Sequence, residues 1–396
     1  MNRTSIEWTH RPETGGAAGG FTWNPIRARL KGARPDFLRR RNVEFERQKE
    51  CDCPCGLCAK GHCGNPPCDQ IRTVAGTFCT RISPGCTNCY ASTINKRFGN
   101  GLEYTVPNLE KVECFISEKI LAEPLQRKKP ATIFVGDMFD LFHEAIPTAE
   151  ISYVFATMHD ATQHTFQVLT KRTARMRDFI AAWGGAEPNI WLGTSVESQK
   201  YADERIPLLL QTPAAVRFLS VEPMLEAVEI HLPDAECNHP SMDGIDQNRG
   251  QDKIWECNLC DGYVQHENDP NQPGFQCEKS GIDWVICGGE SGPGARPFNL
   301  AWAESLQEQC KSAGVAFFMK QVGSVPVMEK NRWRHNHSPL AAPAAKDEFW
   351  LTIKNADKVP ADVVPLKMKD SKGGDPSEWP EALRVRQFPA EKLVTA

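Results

Sequence analysis

The 396-residue chain has no apolar run near the ~18 residues that a membrane-spanning helix needs. Its opening residues, Met1 to Trp8, lack the apolar core of a secretory signal, so a cytoplasmic protein with no membrane partner is expected. An excess of positive charge is also missing. Lys plus Arg number 46 and Asp plus Glu number 50, for a net charge of −4. That balance excludes a uniformly basic nucleic-acid binder and leaves only local basic patches. Hydrophobic residues make up 40% and charged residues 24%, close to the globular average, which excludes wholesale disorder.

Cysteine, by contrast, is abundant, with sixteen residues. In a reducing compartment such cysteines read as metal ligands or reactive thiols rather than disulfides. They are clustered: Cys51, Cys53, Cys55, Cys58, Cys63 and Cys68; then Cys79, Cys86 and Cys89; then Cys237, Cys257, Cys260 and Cys277. Cys114, Cys287 and Cys310 stand alone and read as small buried hydrophobes.

From 131 to 323 one pattern repeats. Short apolar, β-rich runs at 131–135, 165–169, 189–192, 216–219, 283–286 and 315–318 alternate with helical stretches. This alternation predicts an α/β protein with parallel strands and right-handed crossovers. Each run ends in polar residues: Gly136 and Asp137, Lys171 and Arg172, Thr194, Ser195 and Glu197, Glu222, Glu290, Lys320. In a barrel or an open α/β sheet those ends share one face, where active sites are built.

The barrel core is assigned to 1–26, 71–232 and 282–323. Two Cys-rich insertions interrupt it, at 27–70 and 233–281, and an extension at 324–396 is expected to wrap the surface. The first insertion opens with a basic stretch: between 27 and 49 nine Lys or Arg face three Asp or Glu. Arg39, Arg40 and Arg41 suit phosphates, and Phe37 and Phe45 suit base stacking, so nucleic acid is a partner class for this stretch. A solvated helix or loop is the plainer reading of the same residues. The outer cysteine clusters have the density of zinc sites, with an additional iron–sulfur cluster as the alternative, and a metal would supply folding energy that their sequence lacks.

The central triplet Cys79, Cys86 and Cys89 precedes a helix-compatible stretch. Three thiolates at this spacing can hold three corners of a four-iron, four-sulfur (4Fe-4S) cluster and leave one iron open for a small molecule. A structural zinc would instead need a fourth Cys or His from elsewhere. Unrelated buried thiols are the third reading, and spacing alone leaves all three open.

Several stretches carry a family resemblance. They are Thr22-Trp23-Asn24-Pro25, Ser83-Pro84-Gly85-Cys86-Thr87-Asn88-Cys89-Tyr90-Ala91, Gly136-Asp137-Met138-Phe139-Asp140, Thr170-Lys171-Arg172, Gly193-Thr194-Ser195-Val196-Glu197, Ser220-Val221-Glu222-Pro223 and Gly288-Gly289-Glu290-Ser291-Gly292 through Arg296. Together they resemble a phage and bacterial three-cysteine-motif protein family that is similar to radical S-adenosylmethionine (SAM) enzymes. The Cys89-Tyr90-Ala91 ending resembles the cluster loop of spore photoproduct lyase-like proteins. The resemblance implies a partial or full TIM-like (β/α) barrel, a 4Fe-4S cluster on Cys79, Cys86 and Cys89, SAM, and an electron donor as partner.

By the same resemblance, Gly136, Asp137, Thr194, Ser195 and Glu197 face SAM, Lys171 or Arg172 pairs with its carboxylate or with a substrate phosphate, and Glu222, Glu290 and Lys320 lie on the substrate side. The cysteine spacing of six and two departs from the usual three and two, Asn88 replaces the common aromatic, and Gly288-Gly289-Glu290 comes late. The rival classes are a zinc-stabilised nucleic-acid-binding protein without catalysis and a barrel enzyme with zinc at the triplet.

Overall fold

In the computed structural model the apolar runs become one curled parallel sheet. Residues 1–4, 6, 9, 20–31, 76–230, 281–330, 360 and 362–389 are described, with three short strands between 243 and 266. The strands in chain order are β1 (Asn2–Arg3), β2 (Phe21–Trp23), β3 (Ile26–Leu30), β4 (Val112–Ile116), β5 (Thr132–Val135), β6 (Thr165–Thr170), β7 (Ile190–Ser195) and β8 (Arg217–Val221). Then follow β9 (Asp243–Gly244), β10 (Lys253–Glu256), β11 (Tyr263–His266), β12 (Trp284–Gly288), β13 (Phe298–Asn299), β14 (Ala316–Gln321), β15 (Pro326–Glu329) and β16 (Val363–Pro365). The helices are α1 (Tyr90–Phe98), α2 (Val106–Leu109), α3 (Glu118–Leu121), α4 (Glu123–Gln126), α5 (Thr148–Asp160), α6 (Thr173–Trp183), α7 (Gln199–Leu210) and α8 (Leu300–Ser312).

The main sheet runs β1-β2-β5-β6-β7-β8-β12-β14. From β2 to β14 every neighbouring pair is parallel, and β1 adds one antiparallel edge. Seven parallel strands in chain order, flanked by helices, make a half-barrel. The partial parallel barrel expected from the sequence is thus present.

Two-residue periodicity divides the core between the two faces of this sheet. Ile133, Val135, Val168, Leu192, Leu219, Val285 and Phe317 pack in one cluster with helix residues such as Phe155, Ile180, Ile206 and Leu306. Phe134, Trp191, Phe218, Trp284, Ile286 and Phe318 point the other way and form a separate aromatic cluster. Both faces being covered explains why the strands read as unbroken apolar runs. Gly193 sits where a Cβ would meet the Phe218 ring at 2.5 Å, so only glycine lets that ring pack against β7. Helix ends follow local chemistry. Asn299 caps α8 by accepting from Ala301 N at 3.0 Å, and Gly184 at φ 98° terminates α6.

Three expectations change. The first parallel strand, β2, has three residues, too few to register as a pattern in the sequence. The first insertion cannot start at Arg27, because β3 pairs antiparallel with β4 and Ala28 bridges Gly76. The extension after 324 does not merely wrap the surface. There β15 pairs with β13 and β16, Trp379 and Leu383 are fully buried, and Met319 N and Gln387 N bond across the free edge of β14 to Val385 O and Phe317 O. Covering that edge removes an exposed ladder of backbone donors and acceptors. In the second insertion, β9, β10 and β11 form a small antiparallel sheet.

Candidate functional site

The C-terminal ends of the parallel strands open into a cavity of about 370 Å³. Its wall includes Gly136 and Asp137 after β5, Lys171 and Arg172 after β6, Ser195 of β7, Glu222 after β8, Glu290 after β12 and Lys320 of β14. Cys79, Cys86 and Cys89 line the same cavity. Apart from Thr194 and Glu197, the polar strand-end residues thus share one cavity with the cysteine triplet. Cys114 is half-buried, and Cys287 and Cys310 are buried, all three away from this wall. The outer clusters Cys51, Cys53, Cys55, Cys58, Cys63, Cys68 and Cys237, Cys257, Cys260, Cys277 lie outside the described residues, as does the basic stretch beyond residue 31.

The cysteine loop is short and gripped from both sides. Cys86 N donates to Ser83 O at 3.0 Å and Thr87 N to Pro84 O at 3.1 Å, closing one tight turn. On one side stands Glu197, fully buried. Its Oε1 accepts from Ser83 Oγ at 2.7 Å and pairs with Lys171 Nζ at 3.2 Å, and its Oε2 pairs with Arg205 at 2.9 Å. Burial opposes the charge on Glu197, but Lys171 and Arg205 outweigh it and hold the carboxyl below the usual range. Gly85 approaches so closely that a Cβ there would lie 2.5 Å from Glu197 Oε1.

On the other side stands Glu290. It accepts from Asn88 Nδ2 at 3.0 Å, from Arg296 N at 3.0 Å and from Arg296 Nε at 2.9 Å. Arg296 Nη1 reaches on to Pro84 O at 3.0 Å. The Gly288-to-Arg296 motif is thus a clasp on the cysteine loop, and Glu290 is committed to it rather than free on the substrate side.

Cys79 rests on a buried polar network. Arg172 Nη1 lies 3.8 Å from Cys79 Sγ and 3.0 Å from Asp140 Oδ2, while its Nε donates to Glu144. Asp140 also accepts from Thr170 Oγ1 at 2.7 Å, Phe142 N at 3.0 Å and Lys171 N at 3.1 Å. Burial pushes the Cys79 thiol up to about 12; Asp140 adds to the rise and Arg172 opposes it. The nearby Cys86 and Cys89 add to it as well. Burial also raises Cys89, against the N–H groups of Ser92 and Ala91 at the start of α1. Arg172 is therefore held at the cavity wall by Asp140, Glu144 and Thr80, not extended toward a ligand carboxylate.

Asp137 has different surroundings. Its Oδ1 accepts from Asn24 Nδ2 at 2.6 Å, and Tyr90 Oη donates to its backbone carbonyl at 2.7 Å. Burial raises its pKa, with Asn24 opposing. Among the described residues it forms no ion pair, so it is the wall carboxylate left to meet a cationic ligand group. Gly136 at φ 79° turns the chain there. Across the cavity, Lys320 Nζ donates to both Glu222 oxygens at 2.7 and 2.9 Å, and Gln321 Nε2 lies 3.4 Å from Oε1. The Glu222–Pro223 peptide is cis.

Thr194 departs from expectation. Its Oγ1 bonds Thr173 Oγ1 at 2.6 Å and Thr170 O at 3.0 Å, and it does not line the cavity. Sequence reasoning did not assign Asp140, Asn24, Ser83, Asn88, Arg296, Thr80 or His143 to the site. Several of these sit inside the recognised motifs, one to three residues from the side chains that were singled out.

Among the described residues, no three His, Cys, Asp or Glu side chains converge as ligands of a single metal ion would. No helix among them is long and apolar enough to cross a membrane. No curated protein and no solved structure matches the chain. A family model described as protein of unknown function (DUF5131) matches residues 72–358, well over half of the 396 residues, and the chain belongs to that family.

Proposed function

We propose that this protein is a radical SAM-like iron–sulfur enzyme. The observation that carries the reading is the meeting of three thiols with a ring of strand-end polar groups at the mouth of a parallel half-barrel. A 4Fe-4S cluster takes one thiolate per iron, so its cysteines line a cavity without meeting at one point, which suits Cys79, Cys86 and Cys89 better than a zinc ion does. Bound and reduced by one electron, the cluster would supply reductive cleavage of SAM to a 5′-deoxyadenosyl radical.

The chain's own residues have separable tasks. Glu197 and Glu290 hold the cysteine loop. Asp137, the unpaired wall carboxylate, accepts from the SAM amine or ribose hydroxyls, and Ser195 adds a weaker partner. The Glu222–Lys320 pair faces the substrate, for which nucleic acid or a nucleotide is the class that the phage-type resemblance raises. The cavity volume falls within the range of small-molecule sites. The outer cysteine clusters are assigned zinc in this reading.

Anaerobic purification followed by iron, sulfide and zinc analysis and an absorption spectrum tests the metal assignment. Incubation with dithionite and SAM then tests the chemistry. Wild type is expected to release 5′-deoxyadenosine and Cys86→Ala to release none. Cluster-loaded, reduced wild type that leaves SAM intact overturns the reading.

A further inference from the structure

The guanidinium of Arg172 carries five N–H donors in a rigid fork, and the structure gives a partner to each direction. Nε donates to both Glu144 oxygens at 2.9 Å. Nη2 donates to Thr80 Oγ1 at 2.9 Å and lies 3.4 Å from Thr80 O. Nη1 donates to Asp140 Oδ2 at 3.0 Å and, with its other hydrogen, to Cys79 Sγ at 3.8 Å. The side chain is almost wholly buried, with 5% of its surface exposed.

The anchors are themselves fixed. Ala145 N donates to His143 Nδ1 at 3.0 Å, so the ring proton sits on Nε2, which donates to Thr80 Oγ1 at 2.9 Å. Thr80 Oγ1 thereby accepts from both His143 and Arg172 and cannot swing away. Asp140 takes four donors, which lock its carboxylate against Arg172.

We propose that Arg172 is a positioning residue that sets the reduction potential of a cluster carried on Cys79, through a directed N–H···S contact. This rests on the cluster assignment above and extends it. Asp140 and Glu144 already balance the Arg172 charge, so the lever is the aimed N–H and not net charge. Reduction makes the cluster and its sulfurs more negative. A donor on a ligating sulfur therefore stabilises the reduced form and raises the potential. Lysine keeps a cation for Asp140 but loses the fork that reaches Cys79 and Thr80 together.

The test uses full-length, cluster-loaded protein in a dithionite titration with mediators. One electron passes from dithionite to the cluster, and no bond is made or broken in the protein. At a fixed solution potential, Arg172→Lys is expected to show a reduced-to-oxidised ratio about tenfold below wild type, which is 59 mV for a one-electron couple. Iron and sulfide per chain stay unchanged. In protein labelled with ¹⁵N-arginine, pulsed electron paramagnetic resonance of the reduced wild type shows a ¹⁵N coupling that Arg172→Lys lacks.

Should Arg172→Lys fail to fold, Thr80→Val, which removes the hydroxyl that anchors both Nη2 and His143 Nε2, lowers the ratio in the same direction. Equal ratios in wild type and in whichever variant folds, or no ¹⁵N coupling in wild type, overturn the inference and leave the proposed function standing. Wild type that takes up no iron and sulfide overturns both.

Discussion

Ser83 donates its hydroxyl to Glu197 at 2.7 Å, across 114 residues of sequence. Through that bond the end of β7 holds the loop that carries Cys86. Glu197 is fully buried and serves Ser83, Lys171 and Arg205 at once. Removing its charge leaves two cations without their buried counter-charge, which costs about 3–5 kcal/mol. Glu197→Gln is accordingly expected to lower the unfolding free energy by that amount, read as a lower urea midpoint at unchanged m, and to release iron. Ser83→Ala removes one charge-assisted bond and costs about 1.5–3 kcal/mol. Equal midpoints for wild type and Glu197→Gln would show that the loop is held by something else.

The six described cysteines separate into two groups by location. Cys79, Cys86 and Cys89 line the cavity, whereas Cys287 and Cys310 pack in the helix-side core and Cys114 against it. Substituting any one of the first three is expected to abolish the cluster spectrum and about four irons per chain. Substituting Cys114 or Cys310 with alanine leaves iron content at the wild-type value. Cys310→Ala still costs stability, since it deletes a buried group. Metal analysis on these five variants checks this, and iron loss in the second group would count against the assignment.

The parallel sheet was legible because each strand is buried on both faces and therefore spells an apolar run. The cavity wall was legible because every run stops at a charged or amide side chain. What those side chains do was not legible. Glu197 and Glu290 looked like ligand groups, yet their partners, Ser83 and Asn88, lie more than a hundred residues away in sequence. Arg172 looked free for a phosphate because Asp140 becomes its neighbour only when β5 and β6 pair. Thr194 looked like a wall residue, but strand alternation turns it away from the cavity while Ser195 lines it. The tail was misread for a related reason. Trp379 and Leu383 belong to short turns with no period, so nothing in the local pattern marks them as core.

His143 makes stability depend on pH. It is 1% exposed, and burial, with the Arg172 cation adding to it, brings its pKa down from 6.5 to about 4. Between those values the unfolded chain binds a proton that the folded chain excludes. Stability is thus complete above about 6.5 and is lost as pH falls toward about 4. The gap corresponds to roughly 3 kcal/mol. Urea unfolding at pH 7 and pH 5 reads about 2 kcal/mol of it. His143→Gln is expected to be less stable at pH 7 and to lose less on going to pH 5. An equal loss in both proteins would assign the pH dependence to other groups.

The C-terminal segment supplies the last prediction. Trp379 is completely buried and donates its indole N–H to Gly373 O at 2.9 Å. It belongs to the same core cluster as Phe317 of β14 and Leu306 of α8, so the tail is part of the main core. Truncating a buried tryptophan to alanine removes its transfer free energy and leaves a cavity, at a cost of about 3–5 kcal/mol. Phe388 packs against Trp284 and Phe318 with ring centroids 5.4 Å away in each case. Its half-buried position predicts a smaller loss, about 1–2 kcal/mol, for Phe388→Ala. If the tail were an applied surface wrap, both substitutions would be nearly silent in urea unfolding. If it is part of the core, Trp379→Ala shifts the single main transition and does not create a separate early one. Tryptophan fluorescence and far-ultraviolet circular dichroism followed on the same samples distinguish these outcomes, because coincident curves require the tail and the half-barrel to unfold together.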